Sequence, residues 1–315
     1  MKTNTELDSC SAAFVLKMVC GQNYQPVLYY SKGGGRMKKW IWAVILPVVL
    51  LLGIWWVLWA NTALEVTEYS ISSPEIPDGF DGFRIVQVSD LHNAVFGEDN
   101  KDLLDMLRQT EPDIIVITGD LVDSRRTDIK IAVDFMREAI KIAPCYYVTG
   151  NHESRIKEFA ELEKQMIEIG VILLRNDSCL LEREGDRLQL MGVDDCSFHP
   201  YTNGNLQVAA MEAEVNRMQS DAYTVLLSHR PELVVVYQRY DVELVLCGHA
   251  HGGQFRLPLI GGLYAPDQGF FPKYTAGIYE MTDQTMVVSR GLGNSAFPLR
   301  FNNRPEIVVV TLKHA

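Results

Sequence analysis

Short, apolar, β-branched runs recur along this chain at 83–88, 114–118, 146–149, 224–227 and 242–247, each ending in polar residues. Helical spacing over 101–108, 128–142 and 155–169 completes βαβ units after the first three, and 206–218 supplies a fourth helix. This rhythm predicts an α/β fold. Later runs at 189–193, 286–289 and 306–312 have no helix between them and predict a second, more antiparallel sheet. Two sheets flanked by helices are therefore expected. The residues beyond 60 are enough for one large core.

Ligands and chemistry in open α/β folds collect beyond the carboxyl ends of strands. Those positions here hold Asp90-Leu91-His92, then Gly119-Asp120 with Asp123, then Gly150-Asn151-His152-Glu153, then His229, and last Gly248-His249-Ala250-His251. Five of the seven histidines lie there. Taken singly, each piece reads as a turn, a left-handed residue or a hydrogen-bonded rim histidine. In this order, each closing a predicted strand, they match D-x-H, G-D-x-x-D, G-N-H-E, H and G-H-x-H, and the chain resembles the calcineurin-like metallophosphoesterases from about residue 90 to its end.

The resemblance implies a four-layer α/β/β/α sandwich, placed here at 81–315, and a dinuclear metal centre. Asp90, His92 and His251 would hold one ion and Asn151, His229 and His249 the other, with Asp120 bridging. His152 would be catalytic and Asp123 its orienting partner. One departure concerns the residue after Asp123, where many protein phosphatases of this superfamily carry Arg; this chain has Ser124, with Arg125 one place later. That lowers the expectation of a phosphoprotein substrate.

Two divalent ions bring +4 and the two aspartates −2, leaving about +2 to attract a phosphoryl anion. Metal coordination can lower the pKa of water from 15.7 toward ~7, giving hydroxide for in-line attack, and His152 could protonate the departing oxygen. Mixed nitrogen and oxygen ligands fit Mn, Fe, Zn or Co. Arg230 and Arg300 are weaker candidates for contacts with substrate phosphate, with solvated surface arginines as the alternative. Phe270, Phe271 and Phe297 are read either as an apolar lip for a lipid tail or as core.

Three segments, 83–92, 248–258 and 289–293, are similar to the membrane-associated YkuE and YaeI group of that superfamily. The resemblance implies hydrolysis of phosphoester or pyrophosphate bonds in a lipid or cell-envelope substrate, with UDP-2,3-diacylglucosamine as an analogy. Two alternatives remain open: a phosphomonoesterase or nucleotide hydrolase acting on soluble substrates, and a catalytically silent scaffold of the same fold.

Residues 40–60 carry no charge and include all five tryptophans, grouped at the two ends of the run. At 1.5 Å per residue the run spans roughly 31 Å, about the thickness of a bilayer's hydrocarbon core. It predicts one transmembrane helix, followed by a linker over 61–80. A signal peptide is the competing reading, although the run is longer than an h-region. Arg36, Lys38 and Lys39 precede the run, and the next basic residue is Arg84. The expectation is a single-pass protein with a cytoplasmic amino terminus and an extracytoplasmic catalytic domain. Residues 1–39 read as a cytoplasmic tail, or, with Met37 as the start, 1–36 as a mis-annotated extension.

The chain carries a net charge of −11, which argues against a nucleic-acid partner. The bilayer and a phosphorylated lipid or envelope substrate are the expected partners, and no protein partner is implied. The six cysteines include no C-x-x-C pair, and Cys145 and Cys247 fall in apolar runs, so packing is their expected role.

Overall fold

A computed structural model describes residues 34–200, 203–294 and 297–315. Most of the predicted tail, with Cys10 and Cys20, lies outside the described residues. The chain divides into two units, Met1–Leu50 and Leu51–Ala315. Helix α1 (Gly34–Thr62) runs through the division and keeps Pro47 within it. Within Lys39–Thr62 its most apolar 18 residues have a mean hydropathy of 2.6, so the helix is long and apolar enough to cross a membrane, and most of its large apolar side chains stand exposed.

The second unit holds two six-stranded sheets. In the first, the order is β1 (Glu65–Ser73), β16 (Glu306–His314), β2 (Arg84–Val88), β3 (Ile114–Thr118), β4 (Cys145–Val148) and β5 (Ile172–Leu173). Strands β2 to β5 are parallel, β16 runs antiparallel to β2, and β1 runs parallel to β16. In the second, the order is β14 (Gly277–Glu280), β15 (Thr285–Val288), β9 (Leu244–Cys247), β8 (Thr224–Leu227), β7 (Asp186–Gly192) and β6 (Asp177–Arg183).

Three buried apolar clusters separate four layers. Leu103, Leu107, Phe135, Met136 and Leu162, from α2 (Lys101–Gln109), α3 (Ile129–Ala139) and α4 (Phe159–Glu168), pack on the outer face of the first sheet. Ile85, Val116, Leu190, Val225, Leu246 and Val308 interdigitate between the sheets. Met211, Val215 and Tyr237, from α5 (Gly204–Arg217) and α6 (Val234–Tyr237), cover the outer face of the second. The fold is the expected α/β/β/α sandwich.

Three expectations need correction. The second sheet is parallel at its centre, because β7, β8, β9 and β15 all pair in parallel and only the edges β6 and β14 are antiparallel. The crossover from β9 to β15 is a long loop rather than a helix, so its sequence gave no βαβ signal. The run at 306–312 belongs to the first sheet. Part of the supposed linker at 61–80 is β1, whose polar alternation, Glu-Val-Thr-Glu-Tyr-Ser, suits a half-exposed edge strand.

That long loop contains two small ribbons, β10 (Arg256–Leu257) with β11 (Gly261–Gly262), and β12 (Tyr264–Ala265) with β13 (Gly269–Phe270). It starts at the carboxyl end of β9 with His249 and His251.

Candidate metal centre

The carboxyl ends of β2, β3, β4, β8 and β9 converge, and the predicted ligands follow them directly. Five of the seven, Asp90, His92, Asp120, His249 and His251, have left-handed backbones with φ of 46 to 65°. Such conformations are uncommon for residues with a Cβ and cost on the order of 1–3 kcal/mol each. They turn each side chain back across its strand end. The glycines before Asp120 and Asn151 let these two loops approach closely: a Cβ on Gly119 would lie 2.6 Å from Gly150 N, and one on Gly150 would lie 2.2 Å from Asp120 Oδ1.

Two clusters result, all buried. In the first, His92 Nε2 lies 3.2 Å from His251 Nε2, and His251 Nε2 lies 3.4 Å from Asp90 Oδ1. In the second, His229 Nε2 lies 3.1 Å from His249 Nδ1 and 3.2 Å from Asn151 Oδ1. One oxygen joins them: Asp120 Oδ2 is 3.4 Å from His92 Nε2 and 3.3 Å from His229 Nε2. All seven predicted ligand residues are therefore brought together.

This donor set fits cations. Ring nitrogens that face one another at hydrogen-bond distance need a proton or a metal between them. His229 Nδ1 lies 2.7 Å from the Thr118 carbonyl, a contact that needs an N–H and leaves Nε2 as the free lone pair. Asn151 turns its amide oxygen toward imidazole nitrogens and its NH2 toward Arg155, an arrangement that a reversed amide would relieve and that a cation between the rings would satisfy. Burial alone would raise both aspartate carboxyls, but the histidines around them outweigh it and hold Asp90 and Asp120 low. Burial works against a charged His229, yet Asp120 beside it pushes the ring up to about 10.

His152 packs edge-on to His92, ring centroids 4.5 Å apart. Its backbone N–H donates to Asp120 Oδ1 at 2.8 Å, and burial pulls the ring down to about 4. Asp123, expected to orient it, stands 3.6 Å from Nδ1, beyond hydrogen-bond distance. The direct contact is Ser124, whose backbone N–H donates to Nδ1 at 3.0 Å. Asp123 instead braces that turn, accepting from the Arg125 N–H at 2.9 Å and from the Arg126 guanidinium. Arg125 itself is exposed.

Neither arginine is a solvated surface residue. Arg230 Nε donates to Asp195 at 2.6 Å and its Nη1 reaches Asp267, so its guanidinium is occupied by carboxylates. Arg300 is 1% exposed, donates to the Arg290 carbonyl at 2.8 Å and to Asn294 at 3.1 Å, and stands 3.4 Å from His251 Nδ1. Phe270, Phe271 and Phe297 are exposed, which removes the core reading for them.

Two further carboxylates had no assigned role in the sequence reading. Glu153 accepts from the backbone N–H groups of Asp120, Val122 and Gly150, and so ties two ligand loops together; burial, with Asp120 nearby, pushes it up to about 7. It stands in the G-N-H-E motif, the signal that marks the position without giving its role. Asp267 lies 3.0 Å from His249 Nε2, opposite the ring atom that faces His229. It sits in the long loop after β9, where no strand end marks it.

Comparison with known proteins agrees with this geometry. The calcineurin-like phosphoesterase profile matches residues 83–253. The metallophosphoesterase YkuE of Bacillus subtilis (strain 168) is 34% identical over 79% of this chain and 86% of its own length. A transmembrane protein with metallophosphoesterase domain from Danio rerio is 28% identical over 89% of this chain, which spans 64% of that protein. The phosphodiesterase YaeI of Escherichia coli (strain K12) is 26% identical over 73% of this chain and 82% of its own. The chain thus belongs to the calcineurin-like phosphoesterase family, in agreement with its sandwich and with the histidines and aspartates clustered at its strand ends.

Proposed function

We propose that this chain is a membrane-anchored phosphohydrolase working with two divalent ions, one held by Asp90, His92 and His251 and the other by Asn151, His229 and His249. The observation that carries this reading is the single oxygen, Asp120 Oδ2, placed almost equally between His92 and His229. When bound, the ions supply Lewis acidity, which acidifies water and takes up charge on the phosphoryl oxygens. The chain's own part is to hold and protonate. Asp120 also fixes His152 through its backbone N–H, and Glu153 keeps the β3 and β4 loops in register. His152 Nδ1 accepts from Ser124, so the neutral ring carries its proton on Nε2, where it can pass to the departing oxygen. Asp123 shapes the turn that presents Ser124.

The substrate in this reading is a phosphoester or pyrophosphate in a lipid or envelope polymer. The membrane-length helix, the exposed aromatic residues and the likeness to a protein named a phosphodiesterase support it. Positive charge before α1 supports a cytoplasmic amino terminus and an outward-facing catalytic domain. The test is hydrolysis of bis-p-nitrophenyl phosphate by the full chain with Mn, Zn, Fe or Co. Turnover that needs metal and is lost in Asp120→Ala supports the reading. A folded, metal-loaded protein that cleaves neither diesters nor monoesters contradicts it.

A further inference from the structure

Beside the first ligand cluster lies a cleft of about 290 Å³. His251 forms part of its wall, and Phe255, Leu263, Tyr264, Phe270 and Phe297 line most of the rest. Phe270 and Phe297 remain 71% and 52% exposed, with Phe271 exposed beside them. Large apolar side chains left open to water next to a buried, charged centre call for an apolar partner.

The walls are built rather than loose. Phe255 meets Phe297 edge-on at 5.1 Å, and Tyr264 meets Phe270 at 5.4 Å across the β12–β13 ribbon. Gln254 Nε2 donates to the carbonyls of Phe297 at 3.1 Å and Leu299 at 2.7 Å. The Phe271 N–H donates to the Leu263 carbonyl at 2.9 Å. The outer wall continues toward α1: Phe255 bridges to Phe301, whose ring lies 5.3 Å from Trp56, edge-on. One end of the cleft therefore touches a candidate ligand of the phosphoryl-binding centre, and its wall leads to the carboxyl-terminal part of a membrane-length helix.

We propose that this cleft binds the alkyl or acyl chain of the substrate, so that the enzyme acts on amphiphilic phosphoesters whose apolar chain lies beside His251 while the phosphoryl group faces Asp90 and Asp120. The inference rests on the phosphohydrolase reading above and names its substrate class. The phosphoryl end is recognised by charge, and the chain by removal of methylenes from water, each worth about a factor of four.

The test uses the full chain in phosphatidylcholine nanodiscs with Mn and a series of p-nitrophenyl alkyl phosphates bearing methyl, hexyl and dodecyl groups. The expected result is a rise in kcat/KM of roughly tenfold or more from methyl to dodecyl, with most of it lost in the double variant Phe270→Ser, Phe297→Ser. Turnover with no dependence on chain length, or a rise that survives the double variant, would overturn the cleft and leave the hydrolase reading standing. Failure to cleave any of the esters would count against the hydrolase reading. A second measurement does not depend on turnover: a dodecyl phosphonate with a terminal diazirine is photolysed on the protein and its adducts mapped. Adducts within 255–270 or at Phe297 support the cleft, and adducts confined to other surfaces overturn it.

Discussion

The backbone N–H of Ser124 points at His152 Nδ1 across 3.0 Å, and this contact sets the tautomer of the ring. A backbone N–H can only donate, so Nδ1 must accept and the neutral ring's proton sits on Nε2. His152 is thereby arranged as an acid toward whatever faces Nε2. A general acid matters most when the leaving oxygen is a poor one. His152→Gln should lower kcat by about 10²- to 10⁴-fold on an alkyl phosphodiester, and by much less on a p-nitrophenyl ester. Equal losses on both would show that His152 does not protonate the leaving group.

Removing metal should cost stability as well as activity. Asp90, Asp120 and the imidazoles of His92, His229, His249 and His251 are buried together, and a cation in each cluster would satisfy lone pairs that otherwise compete for protons. Ligand binding to the folded state alone stabilises it by mass action. Chelation should lower Tm by roughly 5 °C or more, and added Mn should restore it. An unchanged Tm after verified metal removal would argue against cations at these clusters.

The pairing of Arg230 with Asp195 predicts a pH-dependent stability. Burial pushes the Asp195 carboxyl up, and the Arg230 charge beside it more than reverses this, leaving it below its ordinary value of about 3.9. A carboxyl depressed in the folded state adds stability above its unfolded pKa and loses that stability as pH falls through the folded value. Arg230→Met leaves Asp195 buried without its partner and should cost about 3–5 kcal/mol near pH 7. In denaturant titrations with chelator present throughout, the gap from the unsubstituted chain should narrow as pH falls, starting above about pH 4, where the variant's unpartnered carboxyl takes up its proton, and continuing down through the depressed value of the paired one. A gap constant from pH 7 to pH 3 would mean that lost packing, not charge, sets the cost.

Topology can be read from an exposed position. Lys157 stands at the surface of the second unit. A Lys157→Cys variant should gain labelling by an impermeant maleimide in intact cells relative to the unsubstituted chain. Gain only after lysis would place the domain in the cytoplasm.

The candidate ligands were legible because each lies two to four residues past a short apolar run that reads as a buried strand. The path from β9 to β15 was not. The 37 residues between them hold two short ribbons, the edge strand β14 and connecting loops, where hydrophobic periodicity has little to report, and they carry Asp267 and most of the cleft. Strand β16 reads as an ordinary buried run, and only its pairing with β2 and β1 assigns it to the first sheet. Ser124 was visible as a departure from a protein-phosphatase pattern, but its contacts with His152 Nδ1, through the backbone N–H at 3.0 Å and Oγ at 3.1 Å, depend on the turn after Asp123, which spacing alone does not reveal. Arg300 does lie in a loop, but its burial was not legible, because two of its partners are the backbone carbonyls of Arg290 and Gly293, brought around it by the return of the chain toward β16.

The bridging role proposed for Asp120 is what would make the two clusters one dinuclear centre. Its most direct test is to strip the full chain, titrate Mn, and follow bound metal and bis-p-nitrophenyl phosphate hydrolysis together, in the unsubstituted chain and in Asp120→Asn. Activity should reach its plateau only as the second equivalent binds, and the variant should bind less metal and lose roughly 10³-fold or more in kcat. Full activity at one equivalent, or an Asp120→Asn variant that binds two ions and turns over normally, would contradict it.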